Sequence, residues 1–496
     1  MGSISQRIRK RFLPLLFLAV ATFGILLTVS WPSPAQAIEA KPYEELEFPP
    51  LGEIQIPAYE RYELDNGMVV YMLEDHDLPL VSGSATFRTG DYLVESAQAG
   101  LAEITGQAMR LGGTTNHSPD ELSEMLEQRA ASVETSIGDT SGSASFSSLT
   151  EDLPTVFDLF ADVIRQPAFD EEQLSLILGR TAGGIARRND APGDIVSREF
   201  NKLIYGEQSP YARMVEYANL DNISRDDVVN FYETTLRPEN TILGIVGDFD
   251  PAEMKAMIAE RLGDWECACA DKAALPAPPQ GTQQQAGLFV VDQPQLTQSY
   301  INIGHIGGEL SNEYHAKMSV LNEVLNGFGG RLFNEIRSRQ GLAYSVYAFW
   351  SPRYDHNGIF IGAGQTRSEA TVPFIQAMYQ ELEKIRTEPI TEEELAFAKD
   401  SVLNSFVFNF QTPSQTLSRF MRYEYYGYPA DFVFQYRDGV ENATVEEVLA
   451  AAQANLKPEQ LITIVVGNTS DINPSLSTLG AEVTPLDVTI PEPAGV

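Results

Sequence analysis

Five histidines and two cysteines are the whole stock of imidazole and thiolate ligands in this 496-residue chain. Their spacing argues against a metal centre built from them. His76, His117, His305, His315 and His356 include no pair at i, i+3 or i+4, and no glutamate is set between two of them. A hydrolytic zinc site needs converging ligands and a base near the bound water, and this pattern supplies neither. Isolated histidines of this kind read as surface or satisfied residues. Cys267 and Cys269 are too few for a disulfide framework or a four-thiolate zinc site. Joined to each other they would close a tight, strained loop, so they read as two small residues beside a linker.

The elements that must position these groups form a repeat. NISRDDVVNFYETTLRPENTILGIVGD begins at Asn222 and NATVEEVLAAAQANLKPEQLITIVVGN at Asn442, a constant offset of 220 residues; FDEEQL at Phe169 and ITEEEL at Ile390 match at an offset of 221. Such a period is a whole domain, far longer than a solenoid unit. Ser224-x-x-Asp227 and Thr444-x-x-Glu447 are capping boxes opening helices, each leading through a proline turn into an apolar strand, Thr241–Val246 and Leu461–Val466. Ser118-Pro119-Asp120-Glu121 opens another helix, and Glu151–Ile164 carries a buried apolar stripe. Further strands are expected at Met68–Leu73, Ser82–Arg88, Ser143–Phe146, Leu288–Val291, Ser299–Ile303, Tyr344–Trp350 and Ile359–Gly362. Alternation in many of them suits antiparallel sheets with one face covered by helices, an α+β arrangement.

The chain divides into a signal peptide (1–37), an N-terminal extension (38–60), a first domain (61–268), a Pro/Gln/Ala-rich linker (269–287), a second domain (288–470) and a C-terminal tail (471–496). Arg7, Arg9, Lys10 and Arg11 precede an apolar run to about Trp31, and Ala35-Gln36-Ala37 is a small-x-small cleavage signal. The reading is an exported protein of the periplasm, a thylakoid lumen or another extracytoplasmic space, with a retained signal anchor as the alternative. Formal net charge is −35, from 34 Lys+Arg and 69 Asp+Glu. Removing the first 37 residues, with four basic and no acidic side chains, makes it −39. That balance excludes nucleic acid as a partner, and any membrane beyond the signal segment.

LVSGSATFRTG, GLAEITGQAMRLGGT, the SPDELSEMLEQ helix and TEDLPTVFDLFADVIRQPAFDEEQL together resemble the insulinase-like zinc peptidases, of the processing-peptidase type and its short bacterial relatives. The match runs from about Tyr62 to Gly467. It implies two homologous α+β domains, each a mostly antiparallel sheet flanked by helices, forming a clamshell half-chamber. The family's inverted zinc motif, H-x-x-E-H, falls on Gly100-Leu101-Ala102-Glu103-Ile104-Thr105-Gly106-Gln107. Its three functional positions become Glu103, Gly106 and Gln107. The distal glutamate ligand falls within Arg180–Ile185, which offers no carboxylate. A glycine has no base to offer and a Gln amide is a poor substitute for imidazole. GFGGRLFNEIRSRQGLAYSVYAFW resembles the family's Arg-and-Tyr element, here Arg337 and Tyr344, with an expected helix over Arg331–Gln340, Leu332, Phe333 and Ile336 facing inward and Gly341 at C′. The resemblance implies that these two side chains hold substrate, Arg337 as a planar donor fork and Tyr344 as a phenolic donor.

The resulting expectation is the non-catalytic, substrate-holding subunit of a two-chain zinc metalloendopeptidase. It has no catalytic residue, metal or cofactor of its own. Zn²⁺ would reside in a sister insulinase-family subunit with an intact motif, and peptides would be the substrates. The alternatives are a peptide-binding or scaffold subunit without proteolytic role, and a free-standing divergent metallopeptidase.

Overall fold

The computed structural model describes residues 54, 56–267, 274–283 and 286–493, all within the compact unit Ile54–Val496. The signal segment and most of the expected N-terminal extension lie outside the described residues. In the first half, strands β1 (Glu60–Glu63), β2 (Val69–Glu74) and β3 (Leu80–Phe87) precede helices α1 (Leu101–Leu111) and α2 (Pro119–Glu127). Strands β4 (Ser132–Ile137) and β5 (Gly142–Leu149) follow, then helices α3 (Leu153–Arg165), α4 (Glu171–Arg187), α5 (Pro192–Tyr205) and α6 (Arg225–Thr235), strand β6 (Thr241–Gly247) and helix α7 (Pro251–Leu262).

The second half runs in the same order. Strands β7 (Gly287–Asp292) and β8 (Gln298–Ile306) lead to α8 (His315–Asn326) and a π-helix over Phe333–Arg339. Strands β9 (Ala343–Ser351) and β10 (Ile359–Arg367) come next, then α9 (Thr371–Thr387), α10 (Glu392–Phe406), α11 (Pro413–Tyr426), α12 (Phe432–Glu441), α13 (Val445–Asn455), β11 (Ile462–Gly467) and β12 (Val483–Pro485).

Topology makes the duplication explicit. The two six-stranded sheets have orders β1-β2-β6-β3-β5-β4 and β12-β7-β11-β8-β10-β9. In each, one central pair is parallel, β2 with β6 and β7 with β11, and the strands beyond it toward β4 or β9 are antiparallel. The fold is therefore α+β with two homologous, mostly antiparallel sheets. The repeated capping boxes form as their sequences dictate: Ser224 accepts from the Asp227 amide and Thr444 from the Glu447 amide, with each carboxylate reaching back to the cap amide.

Each half lends the other a helix. The apolar residues Ile195, Phe200 and Ile204 of α5 pack on β7 and β11 of the second sheet, against Phe289, Ile462 and Ile464. In return α11 lays Leu417, Phe420 and Met421 on β2 and β6 of the first, against Tyr71, Ile242 and Val246. A glycine makes room at each landing point. A Cβ at Gly244 would lie 2.2 Å from Met421 Sδ, and one at Gly304 would lie 2.9 Å from Phe200 Cζ. Strands β6 and β11 are thus buried on both faces, which explains their unbroken apolar runs.

Four features add to or depart from the sequence reading. The C-terminal segment carries β12, which pairs in parallel with β7, and Leu486 and Val488 pack beside α5; covering an otherwise open edge strand favours this. The linker is fastened where it is described: Gln283 Oε1 accepts the Ile306 amide at 2.9 Å, the Gln280 carbonyl accepts the Asn357 amide at 3.0 Å, and Tyr211 donates to the Pro279 carbonyl. Cys267 is disulfide-bonded and not a thiol; Cys269 lies outside the described residues. Within the helix expected over Arg331–Gln340, Phe333–Arg339 is a π-helix.

Candidate functional site

Helix α1 carries on one side the three positions that the family resemblance aligns with the zinc motif, Glu103, Gly106 and Gln107, while Leu101, Ile104, Ala108 and Met109 anchor it in the first core. Glu103 is exposed, and the Gln107 amide donates to its carboxylate at 3.2 Å, one turn away. Between them Gly106 is buried, with Thr135 of β4 donating to its carbonyl at 2.6 Å. A Cβ built on Gly106 would lie 2.4 Å from the Ile137 nitrogen and 2.8 Å from the Ser136 carbonyl carbon. The helix and strand backbones meet at the position that the family resemblance assigns to the base. On α4 the distal-ligand stretch offers Thr181, Ala182, Gly183 and Gly184, and a Cβ at Gly184 meets nothing within 4 Å. The residues present therefore do not fit a zinc ion of the H-x-x-E-H type. Among the described residues no group of three or more His, Cys, Asp or Glu is arranged to hold a metal.

The Arg–Tyr element is built by two local irregularities. Widening of the helix into π-turns sets Phe333 under Arg337, whose guanidinium carbon lies 4.7 Å from the ring centroid. Phe333, expected to face inward, is only half-buried for that reason, whereas Leu332 and Ile336 are fully buried. Gly341 at φ +63° ends the helix, and the Leu342 amide bonds back to the Ile336 carbonyl at 3.0 Å. The β9–β10 register then passes from Ser345↔Gln365 to Ala343↔Thr366, leaving Tyr344 as the extra residue of a β-bulge. Its ring is 82% exposed and its centroid stands 4.7 Å from the same guanidinium. Arg337 is clamped between two rings, and among the described residues its N–H groups engage no acceptor. A fork held in place with its donors free is suited to a carbonyl or a developing negative charge. π-turns and bulges of this kind recur where a side chain must be aimed.

The surroundings of the element are ordered by charge-assisted contacts. Arg331 makes a bidentate pair with Glu394 at 2.7 and 2.8 Å, and Arg331 holds that carboxyl below the usual carboxylate range. Glu394 also caps α10 by accepting the Thr391 amide, so the start of the π-helix is fixed to a helix of the second core. Next to it, the Gly-rich turn exposes Phe328 and borders a cavity of about 550 Å³ lined by Glu323, Glu381, Glu394 and Phe397.

Sequence reasoning missed the open sheet faces. On β3, β5 and β4 the face away from the first core is a grid of cross-strand rows: Thr86, Ser143 and Ser136; Ser84, Ser145 and Glu134; Ser82, Ser147 and Ser132. Eight hydroxyls and one carboxylate cover it. The equivalent face of the second sheet presents Ile361 beside Phe349 and Ala363 beside Tyr347. The signal was available, since SGSAT and SGSASFSSL alternate serine with residues of another kind at the strand period.

A family model described as "Insulinase (Peptidase family M16)" matches residues 79–207, and one described as "Peptidase M16 inactive domain" matches residues 222–402. The chain belongs to the insulinase family, peptidase family M16. Among similar proteins, the uncharacterised zinc protease YmxG of Bacillus subtilis is 23% identical over 362 residues, covering 73% of this chain and 86% of that one. An uncharacterised zinc protease of Streptomyces coelicolor is 25% identical over 345 residues, covering 67% and 70%. A solved peptidase M16 inactive domain from Pseudomonas fluorescens superposes with a TM-score of 0.74 at 22% identity, covering 83% of this chain and 98% of that one. The periplasmic protease PqqL of Escherichia coli gives 0.68 at 15% identity, covering 87% of this chain and 49% of its own. These superpositions agree on the M16 fold. Among the described residues no helix is long and apolar enough to cross a membrane.

Proposed function

We propose that this insulinase-family chain is the non-catalytic, substrate-holding subunit of a two-chain zinc endopeptidase, exported across a membrane, whose sister chain carries an intact H-x-x-E-H motif. The observation that carries the reading is the contrast within the molecule: Gly106 is jammed against β4, with no room for a base, while Arg337 and Tyr344 are clamped and presented. In such a pair this chain holds no zinc. It closes half of the chamber and holds an extended peptide, with Arg337 polarising or stabilising a carbonyl oxygen and Tyr344 adding a donor. The proton-transfer and metal chemistry belong to the partner.

The first test is the isolated protein, dialysed against a chelator, reloaded with Zn²⁺ and offered an unstructured peptide. No cleavage is expected; turnover that depends on the added metal would return the chain to the free-standing peptidases. A second reading, peptide capture without cutting, is favoured by the outer edges of β4 and β9, which pair with no further strand among the described residues, since an extended peptide can add to such an edge.

A further inference from the structure

Helix α11 carries Ser414, Ser418 and Arg422 on one face at four-residue steps, and two cavities meet along it. One, of about 350 Å³, lies toward Tyr354 and Phe408; the other, of about 260 Å³, lies against Ser84 and Thr86 of the hydroxyl-covered sheet face. Ser418 and Arg422 border both, so the two cavities adjoin along one cleft face of the helix. No carboxylate lines either cavity, in a chain where acidic residues outnumber basic ones 69 to 34. The two arginines are also under-used. Arg419 is steadied by Asn409 Oδ1 at 2.5 Å and by the Tyr423 hydroxyl at 3.4 Å, yet its Nε is buried without an acceptor. Arg422 is exposed and, among the described residues, forms no hydrogen bond or ion pair; its nearest interaction is the Tyr354 ring, 5.8 Å from guanidinium carbon to centroid. Asp355, the carboxylate next to Tyr354, is spent on His356 at 2.8 Å.

We propose that this cleft binds a carboxylate of the held peptide, with Arg422 as the bidentate partner, Ser418 as a further donor and Arg419 supplying the field behind them. The proposal rests on the peptide-holding reading and adds to it a charge preference at a second point of the molecule. An unpaired guanidinium with hydroxyls around it and no competing anion gains most from a planar, two-oxygen acceptor. Two sources share that chemistry, the α-carboxylate at a peptide C-terminus and an Asp or Glu side chain.

Three labelled forms of one unstructured peptide separate the sources: a free C-terminus with no acidic side chain, the same peptide amidated, and the amidated peptide with one central glutamate. Fluorescence anisotropy against the full chain at low salt is expected to show at least one carboxylate form binding about tenfold tighter than the neutral amide. The form that gains names the source. Arg422→Gln is expected to abolish that preference while the amide binds as before, with an unchanged thermal midpoint as the control. Arg422→Lys keeps the charge without the fork and should restore part of the preference. If all three forms bind alike, or if the preference survives in Arg422→Gln, the cleft proposal is overturned and peptide holding stands. If none of the three binds, both fall.

Discussion

Helix α1 of the first half and the π-helix of the second carry the positions that the family resemblance singles out in each half, and they are built in opposite ways, although in element order the counterpart of α1 is α8 and that of the π-helix is α2. Around α1 the backbone has closed: Gly106 touches β4, Gln107 and Glu103 bond to each other, and the helix is one more layer of the core. Around the π-helix the backbone has opened, with a widened turn, a left-handed Gly341 and a bulge at Tyr344 that together hold an arginine out between two rings. Regular packing surrounds the motif-aligned positions of the first half, and local irregularity surrounds Arg337 and Tyr344 in the second. Irregular backbone is costly, and it persists where the surrounding fold over-determines it.

The sharpest way to break this comparison is to force the base back. Gly106→Glu must displace the Ile137 amide and is expected to cost at least about 3 kcal/mol. Gly184→Glu, on α4 with nothing within 4 Å of its Cβ, is expected to be neutral or slightly stabilising, because glycine is a poor helix residue. Urea midpoints of the two variants measure the difference; equal midpoints would mean that the α1 position is still open.

The shifted histidines of the two halves respond to acid with opposite sign. In the second half His305 Nδ1 lies 2.7 Å from the Ile306 carbonyl and its Nε2 accepts the Lys457 amide at 3.0 Å, so the ring is neutral with its proton on Nδ1. Burial pushes its pKa from 6.5 down to about 4. The unfolded chain therefore takes the proton first, and the stability this residue contributes is complete above pH 6.5 and is lost as the pH falls toward 4, roughly 3 kcal/mol at most. Burial lowers His315 in the same direction. In the first half, Asp248 and Glu74 raise the exposed His76, whose contribution is present at low pH and lost as the pH rises past its raised pKa. Unfolding free energies from pH 7 to pH 4 should fall steeply in the wild type and less steeply in His305→Gln; parallel curves would remove His305 from the account.

Smaller effects test the Arg–Tyr element. Arg337→Ala gives up two ring contacts at a partly exposed site and is expected to cost about 1 kcal/mol or less of stability, while peptide affinity falls about tenfold. A loss of stability matching the loss of binding would make Arg337 a structural residue. Tyr344→Ala should move the thermal midpoint least, within about 0.5 kcal/mol, since the ring is mostly in water. Comparing it with Tyr344→Phe separates the hydroxyl from the ring.

Much of the architecture was legible because it is written in local chemistry. The two capping boxes, the proline turns and the doubly buried strands β6 and β11 follow from residues within a few positions of one another, and the repeat offset exposes the duplication. Arg337 and Tyr344 were identified by family resemblance, because neither residue type nor spacing announces a π-turn or a bulge. What escaped the sequence depends on distant packing. The exchange of α5 and α11 rests on Gly244 meeting Met421 and Gly304 meeting Phe200, contacts that no periodicity reveals. The pairing of β12 with β7 joins residues nearly two hundred positions apart. The cleft at Arg422 exists only because α11 crosses to the other half's sheet.

The central claim is that this chain holds what another chain cuts, and turnover of an unstructured peptide by a reconstituted pair tests it most directly. The pair is this protein mixed with an insulinase-family chain from the same source that has an intact zinc motif. Neither chain alone is expected to turn the peptide over at the rate of the mixture, and Arg337→Ala in the mixture is expected to lower that rate about tenfold or more without preventing association. A sister chain as active alone as in the mixture, or a mixture indifferent to Arg337→Ala, would contradict it.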